Sequence, residues 1–358
     1  MRILHAADFH LDSPFRGLSA EKAAQRRRES RELLERLRQL AEERQAELVL
    51  LSGDLFDSAH AYRETLEQLS RTLGAMPCPV CIAPGNHDPY GPGSPYRDMA
   101  WPENVHIFTS PAPSRLELEH CVVYGAAFTA PRQEESLLRG FTAPEDPRPS
   151  VMCLHGDVNG GPYNPITREE IAASGLTYLA LGHVHQYSGL ERAGNTYYAY
   201  PGCPEGRGFD ELGEKGVLLL ELEGGKVSAE LIPLCRRCYR ILTADVTGRE
   251  VRQAAEETLA AAGETDIVRL VLTGETDRRG VEEGALLTAL APRFFSLEIR
   301  DETRMGTDLW SRAGEDSLRG IFLQELKNRY DAAQEESEKR KIAMAARFGL
   351  AAMDDRDW

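Results

Sequence analysis

The 358-residue chain has no run of about 18 consecutive apolar residues, and this excludes a membrane-spanning helix. Its opening, Met1-Arg2-Ile3-Leu4-His5, lacks the charged, apolar and small-residue regions of an export signal and leads directly into a strand-like run. A cytoplasmic protein is expected. Basic charge is also short: 42 Lys and Arg face 57 Asp and Glu, a formal net charge of -15. That balance weighs against holding nucleic acid through a broad basic surface. It leaves open a site where bound divalent metals and local arginines supply the positive field. Cysteine is scarce and odd in number, seven in all, so a disulfide framework is not expected. Two Cys-x-x-Cys pairs occur, Cys78/Cys81 and Cys235/Cys238, but they are far apart and Cys81 falls in an apolar strand. They read as ordinary thiols rather than a zinc site. No internal repeat is evident.

What is present is an apolar content of 42%, enough for a large domain and a smaller one. Ile3 to Ala7, Leu48 to Ser52 and Pro79 to Ala83 read as buried strands. Helices are expected between them, from about Glu21 to Gln45, with Leu33, Leu34, Leu37, Leu40 and Ala41 at helical spacing, and from about Tyr62 to Leu73. This is the strand–helix–strand rhythm of a largely parallel sheet. The middle is richer in strands, at Val105 to Phe108, Leu116 to Leu118, Val122 to Phe128, Val151 to Leu154 and Tyr178 to Leu181. Thr196 to Tyr200, Val217 to Leu222 and Lys226 to Leu234 are expected to complete a second sheet. The pattern changes near Cys235. A β-α-β-α-β unit follows over Tyr239 to Ile299, and beyond Asp308 a charged helical tail carries one stripe of Ile321, Phe322, Leu326 and Tyr330. The tail is expected either to pack on its own protein or to dock a partner.

Five segments carry candidate metal chemistry: Asp8-x-His10, Gly53-Asp54, Gly85-Asn86-His87-Asp88, His155-Gly156-Asp157 and Gly182-His183-Val184-His185. Each follows an expected strand, and in such sheets ligands gather beyond the carboxyl ends of strands. Residues two apart in extended backbone point the same way, so Asp8 with His10, and His183 with His185, can reach one ion or two adjacent ones. The glycines before Asp54, Asn86 and His183 are expected to let the chain turn sharply. Carboxylate, amide and imidazole together suit Mn, Fe or Zn rather than Ca. His5, His60, His106 and His120 lack this context and are taken as structural or surface residues.

This pattern resembles the calcineurin-like metallophosphoesterase superfamily over residues 1 to about 235. The resemblance implies an α/β, four-layer αββα sandwich over residues 1–235, a small α/β capping domain over 236–305 and a helical tail over 306–358. It implies two divalent metal ions, Mn2+ before Fe or Zn. Asp8, His10 and His185 would bind one ion, Asn86, His155 and His183 the other, and Asp54 would bridge them. His87 matches the family's catalytic histidine, and a metal-bridged hydroxide would attack the phosphate in line. Asp57, Asp88 and Asp157 are expected to orient ligands from outside, Asp88 and Asp157 by accepting from histidine N–H groups, with backbone capping as the alternative for those two.

The segments His5-Ala6-Ala7-Asp8-Phe9-His10-Leu11, Gly53-Asp54-Leu55-Phe56-Asp57 and Tyr200 to Arg207, continuing through Glu211, Gly213 and Lys215-Gly216, resemble SbcD-type DNA repair exonucleases. Leu11-Asp12-Ser13-Pro14-Phe15 is closer to a bacterial sister group of that branch. By that resemblance the substrate is DNA, the partner a coiled-coil ATPase of the SMC type, and the assembly a homodimer. Arg207 is a candidate phosphate contact, with an internal ion pair as the alternative, and Arg236 and Arg237, with Arg240, could meet a DNA backbone at the junction. Arg26, Arg27, Arg28 and Arg31 read as a solvated helix face. Two other readings remain: a small-molecule or cyclic-nucleotide phosphodiesterase or phosphatase, and a non-catalytic scaffold. The full ligand set weighs against the scaffold.

Overall fold

The computed structural model describes residues 1–58, 61–276, 281–305 and 309–353. The chain begins β1 (Arg2–Ala6), α1 (Ala20–Glu43), β2 (Leu48–Leu51), α2 (Arg63–Gly74), β3 (Val80–Ile82), α3 (Pro95–Asp98) and β4 (Val105–Ile107). It continues β5 (Ser114–Glu117), β6 (Val122–Gly125), β7 (Ser150–His155), α4 (Arg168–Ala173), β8 (Tyr178–Gly182), β9 (Glu191–Ala193), β10 (Thr196–Ala199), β11 (Gly216–Glu223) and β12 (Lys226–Pro233). These strands make two six-stranded sheets, ordered β12-β11-β1-β2-β3-β4 and β5-β6-β7-β8-β10-β9.

Alternation along each strand stacks the layers. Ile3, Leu48 and Leu50 share an apolar core with Val151, Cys153, Tyr178 and Ala180 of the second sheet. Their neighbours Leu4, Val49 and Leu51 point the other way, against Leu33, Leu34 and Leu37 of α1 and Leu69 and Leu73 of α2. On the far side, Met152, Leu154, Leu179 and Leu181 are covered by Ile171 of α4 and by Leu137 and Leu138. The order helix–sheet–sheet–helix agrees with the expected four layers.

The last two strands correct one expectation. β11 and β12 do not complete the second sheet; β11 pairs antiparallel with β1, Leu4 opposite Leu219, and β12 lies outside it. β11 is apolar on both faces, Leu218 and Leu220 toward one core and Val217 and Leu219 toward the other. Such a strand needs cover on both sides, which the position beside β1 gives. β4 also joins the first sheet, parallel to β3.

α1 shows how local sequence sets an element. Ser19 caps its start, Oγ accepting from Lys22 N at 3.4 Å. It stops at Gln45, whose φ of 52° is left-handed. There Ala46 N donates to Ala41 O at 2.9 Å and Gln45 N to Glu42 O at 3.1 Å, a paired closure that uses the free carbonyls. Two residues on this helix depart from the solvated reading: Arg31 is mostly covered, pairing with Glu64 at 3.3 Å and Asp12 at 3.8 Å, and Arg26 contradicts it outright. Arg26 is fully buried, paired with Glu205 and donating to Gly206 O at 2.8 Å. A guanidinium goes inside only where carboxylate and carbonyl partners meet its donors.

The remaining elements are β13 (Tyr239–Asp245), α5 (Val251–Leu259), β14 (Ile267–Thr273), β15 (Glu275–Thr276), α6 (Glu283–Leu290), β16 (Ser296–Asp301), β17 (Arg304–Met305), α7 (Leu318–Ala332) and α8 (Glu336–Met353). β13, β14 and β16 form a three-stranded sheet. The chain divides into one compact unit of Met1–Ile241, Ala262–Arg269 and Ala291–Leu297, and a second of Leu242–Ala261, Leu270–Leu290 and Glu298–Trp358. Within the second, the tail is two helices packed through Leu323 and Ala346, with Leu309, Phe322 and Leu326 beside them. Ile321, expected on the same apolar stripe, is exposed. Among the described residues no helix is long and apolar enough to cross a membrane.

Candidate metal centre

Five loops converge in the first unit, each leaving the carboxyl end of β1, β2, β3, β7 or β8. They close a ring. Asp8 Oδ1 lies 3.9 Å from His185 Nε2, and His185 Nε2 lies 3.2 Å from His10 Nε2. His10 Nε2 is 3.7 Å from Asp54 Oδ2, which is 3.5 Å from His155 Nε2. Asn86 Oδ1 sits 2.9 Å from His155 Nε2 and 3.2 Å from His183 Nδ1. His183 N donates back to the Asp8 carboxylate at 3.1 Å. Three overlapping triads bring ligand atoms within 4.8 Å of one another: Asp8, His10 and His185; His10, Asp54 and His87; Asp8, Asp54 and His155. All seven expected ligands therefore lie in one ring.

The backbone is bent to achieve this. Asp8 (φ 56°), His10 (φ 44°), Asp54 (φ 51°) and His183 (φ 113°) are all left-handed, a conformation that costs a non-glycine residue on the order of 1–3 kcal/mol. The sharp turns thus fall on the ligands as well as on Gly53, whose φ is 86°. Gly85 and Gly182 are needed for a different reason from the one expected. A Cβ on Gly85 would strike the Asp54 carboxylate, and one on Gly182 would strike the Ser52 carbonyl. Close approach, not turning, requires glycine there.

The donors fit cations. His155 Nδ1 is 2.9 Å from the Ser52 carbonyl and His185 Nδ1 is 2.7 Å from the Glu211 carboxylate. The Ser52 carbonyl only accepts, so His155 Nδ1 carries hydrogen and in the neutral ring its Nε2 turns a lone pair inward. His185 Nδ1 sits between the Glu211 carboxylate and the donor Arg207 Nη2 at 3.0 Å; burial opposes its charge, but the Glu211 hydrogen bond and Asp8 outweigh burial and raise its pKa. His155 Nε2 faces Asp54 and Asn86, and His185 Nε2 faces His10 and Asp8. His10 Nδ1 has no hydrogen-bond partner and lies 3.5 Å from Asp57 Oδ1. Burial pushes His10 down to about 4, and burial with the neighbouring His155 takes His183 to about 4, so both rings are neutral and ligand-ready near pH 7. Burial raises the Asp8 carboxyl to about 6, with Asp54 adding to the effect. Burial also opposes ionisation of Asp54, but His155, His10 and His87 outweigh it and hold the carboxyl below its ordinary range. Buried carboxylate, amide and imidazole atoms converging on one another are what divalent cations satisfy.

A family model for calcineurin-like phosphoesterases matches residues 1–187. The chain belongs to the calcineurin-like phosphoesterase family. A relative described as an uncharacterized metallophosphoesterase, YhaO of Bacillus subtilis, is 31% identical over 300 residues, covering 76% of this chain and 72% of the relative. The SbcD component of nuclease SbcCD from the same organism is 25% identical over 270 residues, 63% of this chain and 67% of its own. DNA double-strand break repair protein Mre11 of Saccharolobus solfataricus is 22% identical over 330 residues, 86% and 84% of the two chains. Family membership makes the chain a metal-dependent phosphoesterase by class, and the ring supplies the candidate ligands.

The other expected site residues divide. His87 N donates to Asp54 Oδ1 at 2.9 Å, and its ring Nδ1 lies 3.0 Å from the Asp57 carbonyl. Asp57 faces His10. Asp88 is buried but accepts from backbone amides of Gly85, Asp54, Leu55 and Phe56 and from the Tyr96 hydroxyl, not from a histidine. Asp157 Oδ1 accepts from Asn159 N at 2.7 Å, again the capping alternative. Arg207 is the internal ion pair, 3.1 Å from Asp57 Oδ1 and 2.8 Å from Glu211 Oε1. Arg237 is buried on Glu29 at 2.6 Å and Arg236 reaches Glu32 at 3.3 Å, so both arginines pair with α1 rather than with the ring. Arg240 pairs with Asp266 at 2.6 Å. His5, taken only as structural or surface, is fully buried between Tyr178 Oη at 2.9 Å and Ser52 Oγ at 3.2 Å. His106 is half-buried and His120 exposed, while His60 lies outside the described residues. Sequence reasoning missed two orienting groups, the Ser52 carbonyl and Glu211. Glu211 lies in a segment already noted for its resemblance, but its partner His185 is 26 residues away.

Proposed function

We propose that the protein is a two-metal phosphodiester hydrolase acting on DNA, as an exonuclease, an endonuclease or both, in DNA repair. The observation that carries this reading is the closed ring of Asp8, His10, Asp54, Asn86, His155, His183 and His185, whose carboxylate, amide and imidazole atoms converge on one another. Asp8, His10 and His185 would hold one ion, Asn86, His155 and His183 the other, and Asp54 both. Mn2+ is the preferred metal for this mixed oxygen and nitrogen set, with Fe or Zn the alternatives. Two such ions supply Lewis-acid charge against the phosphoryl oxygens and make water a usable nucleophile near neutral pH. His87, its Nδ1 hydrogen held by the Asp57 carbonyl, presents Nε2 to the phosphate and protonates the leaving oxygen or stabilises the charge on it.

DNA as substrate is supported by similarity to the SbcCD nuclease component and to Mre11. The reading extends to residues 236–305 as a cap that helps position DNA, to a homodimer, to a cytoplasmic location and to a coiled-coil ATPase of the SMC type. The tail supports such a partner, because Leu318 and Ile321 of α7 and Met344 and Phe348 of α8 are exposed. The net charge of -15 favours the second reading, a small-molecule or cyclic-nucleotide phosphodiesterase or phosphatase. Incubation with manganese and linear duplex or single-stranded DNA separates the two. Nucleotide release that His87→Ala abolishes, with metal still bound, is the expected result. Intact DNA alongside rapid turnover of cyclic nucleotides or phosphomonoesters overturns it.

A further inference from the structure

Three charged side chains beside the ring form a chain of their own. Arg207 Nη1 lies 3.1 Å from Asp57 Oδ1 and Nη2 lies 2.8 Å from Glu211 Oε1. Glu211, almost fully buried, also accepts from the Arg207 backbone N at 2.7 Å and lies 2.7 Å from His185 Nδ1, which Arg207 Nη2 approaches as well, at 3.0 Å. Asp57 turns the same carboxylate oxygen toward His10 Nδ1 at 3.5 Å and its carbonyl toward His87 Nδ1 at 3.0 Å. The guanidinium fork therefore ties the loop after β2 to the loop after β10, and each end backs a histidine. The two histidines whose Nε2 atoms meet at 3.2 Å are those two, His10 and His185.

We propose that Asp57, Arg207 and Glu211 form a positioning bridge that sets one of the two metal positions, the one formed by Asp8, His10 and His185, and leaves the other to be set independently. The inference rests on the two-metal reading above. Three features support it. The bridge reaches the first position from two sides, and among the described residues no hydrogen bond or ion pair joins it to Asn86, His155 or His183. His155 takes its orientation from the Ser52 carbonyl, at 2.9 Å. The charge is also suited to a cation site: a lone arginine there would repel the ion, but two carboxylates enclose it and leave the trio net negative. Finally, the fork geometry matters. A planar guanidinium holds two carboxylates at a fixed separation, which a lysine ammonium does not. The same tie places the Asp57 carbonyl that His87 uses, so the bridge aligns the catalytic histidine with this metal position rather than the other.

The test titrates the full-length protein with manganese chloride alone, by calorimetry and elemental analysis, with electron paramagnetic resonance to detect the coupled ion pair. Wild type is expected to take up two Mn2+ and show the coupled signature. Glu211→Gln and Arg207→Met are expected to keep one ion at wild-type affinity and to bind the second about 10- to 100-fold more weakly, the range for loss of a group orienting a metal-bound histidine. The coupled signature then gives way to that of an isolated ion. Arg207→Lys, the mildest change, weakens the same single position and keeps the test open if a harsher variant does not fold. Two full-affinity ions in all variants overturn the proposal. So does equal weakening of both positions in step with a lower metal-free melting temperature, since that is the signature of a purely structural role. Failure of wild type to bind a manganese pair is a different result, which refutes the two-metal reading itself.

Discussion

Replacing Asp88 by Asn tests how the two central loops are held. The carboxylate is fully buried and has five donors: Gly85 N at 2.8 Å and Asp54 N at 3.2 Å on Oδ1, with Leu55 N at 2.7 Å, Phe56 N at 3.1 Å and Tyr96 Oη at 2.6 Å on Oδ2. Asparagine keeps the shape but turns one oxygen into an N–H donor. In either orientation it points that donor at two backbone amides. The Tyr96 hydroxyl can rotate to accept, but the amides cannot. Each buried amide left without an acceptor costs about 1–3 kcal/mol, so the variant should lose on the order of 3–5 kcal/mol. Urea unfolding reads this as a lower midpoint at unchanged slope. Trp101 is a convenient local probe, its ring stacked 6.0 Å from Tyr96. The loops concerned carry Asp54, Asn86 and His87, so manganese affinity should fall as well. A loss under about 1 kcal/mol with manganese binding intact would show that these amides find other partners and refute the reasoning.

Two further outcomes follow from buried ionisable groups. Arg26→Met strands the Glu205 carboxylate in the interior beside the helix, at a cost of about 3–5 kcal/mol in urea unfolding, and Arg26→Lys does not restore it because one ammonium cannot span Glu205 and the Gly206 carbonyl; recovery by lysine would contradict the account. Burial pushes His5 from 6.5 down to about 3, so the unfolded chain binds more protons throughout that window and His5 makes folding stability fall as the pH drops below about 6.5. Between pH 7 and pH 5 this amounts to about 2 kcal/mol, and His5→Gln, compared with wild type by chemical denaturation at both values, should lose correspondingly less; equal losses would show that His5 does not stay neutral in the fold.

The ligand ring was legible because its signal is local. Each of the five segments ends an apolar strand, and strand polarity alone sends them to one edge. The first helix was legible for the same reason, Leu33, Leu34, Leu37, Leu40 and Ala41 being spaced for one face. Strand partnership is not local. Nothing within β11 says that it returns to lie beside β1, a pairing decided across most of the first unit, although its apolar character on both faces argued for an inner place. α4 was missed, yet Thr167-Arg168-Glu169-Glu170 carries the reciprocal cap that the structure contains. The arginines were the least legible. Arg26, Arg207 and Arg237 occur in segments rich in charge, and their buried carboxylate partners, Glu205, Glu211 and Glu29, become evident only when the chain is folded.

The central claim is that one ring of seven side chains holds a pair of metal ions, and diffraction at the manganese edge tests it most directly. Crystals grown with manganese should show two anomalous peaks about 3.5–4 Å apart. One should be bounded by Asp8, His10 and His185, the other by Asn86, His155 and His183, with Asp54 reaching both. A single peak, or peaks lying away from Asp54, would contradict it.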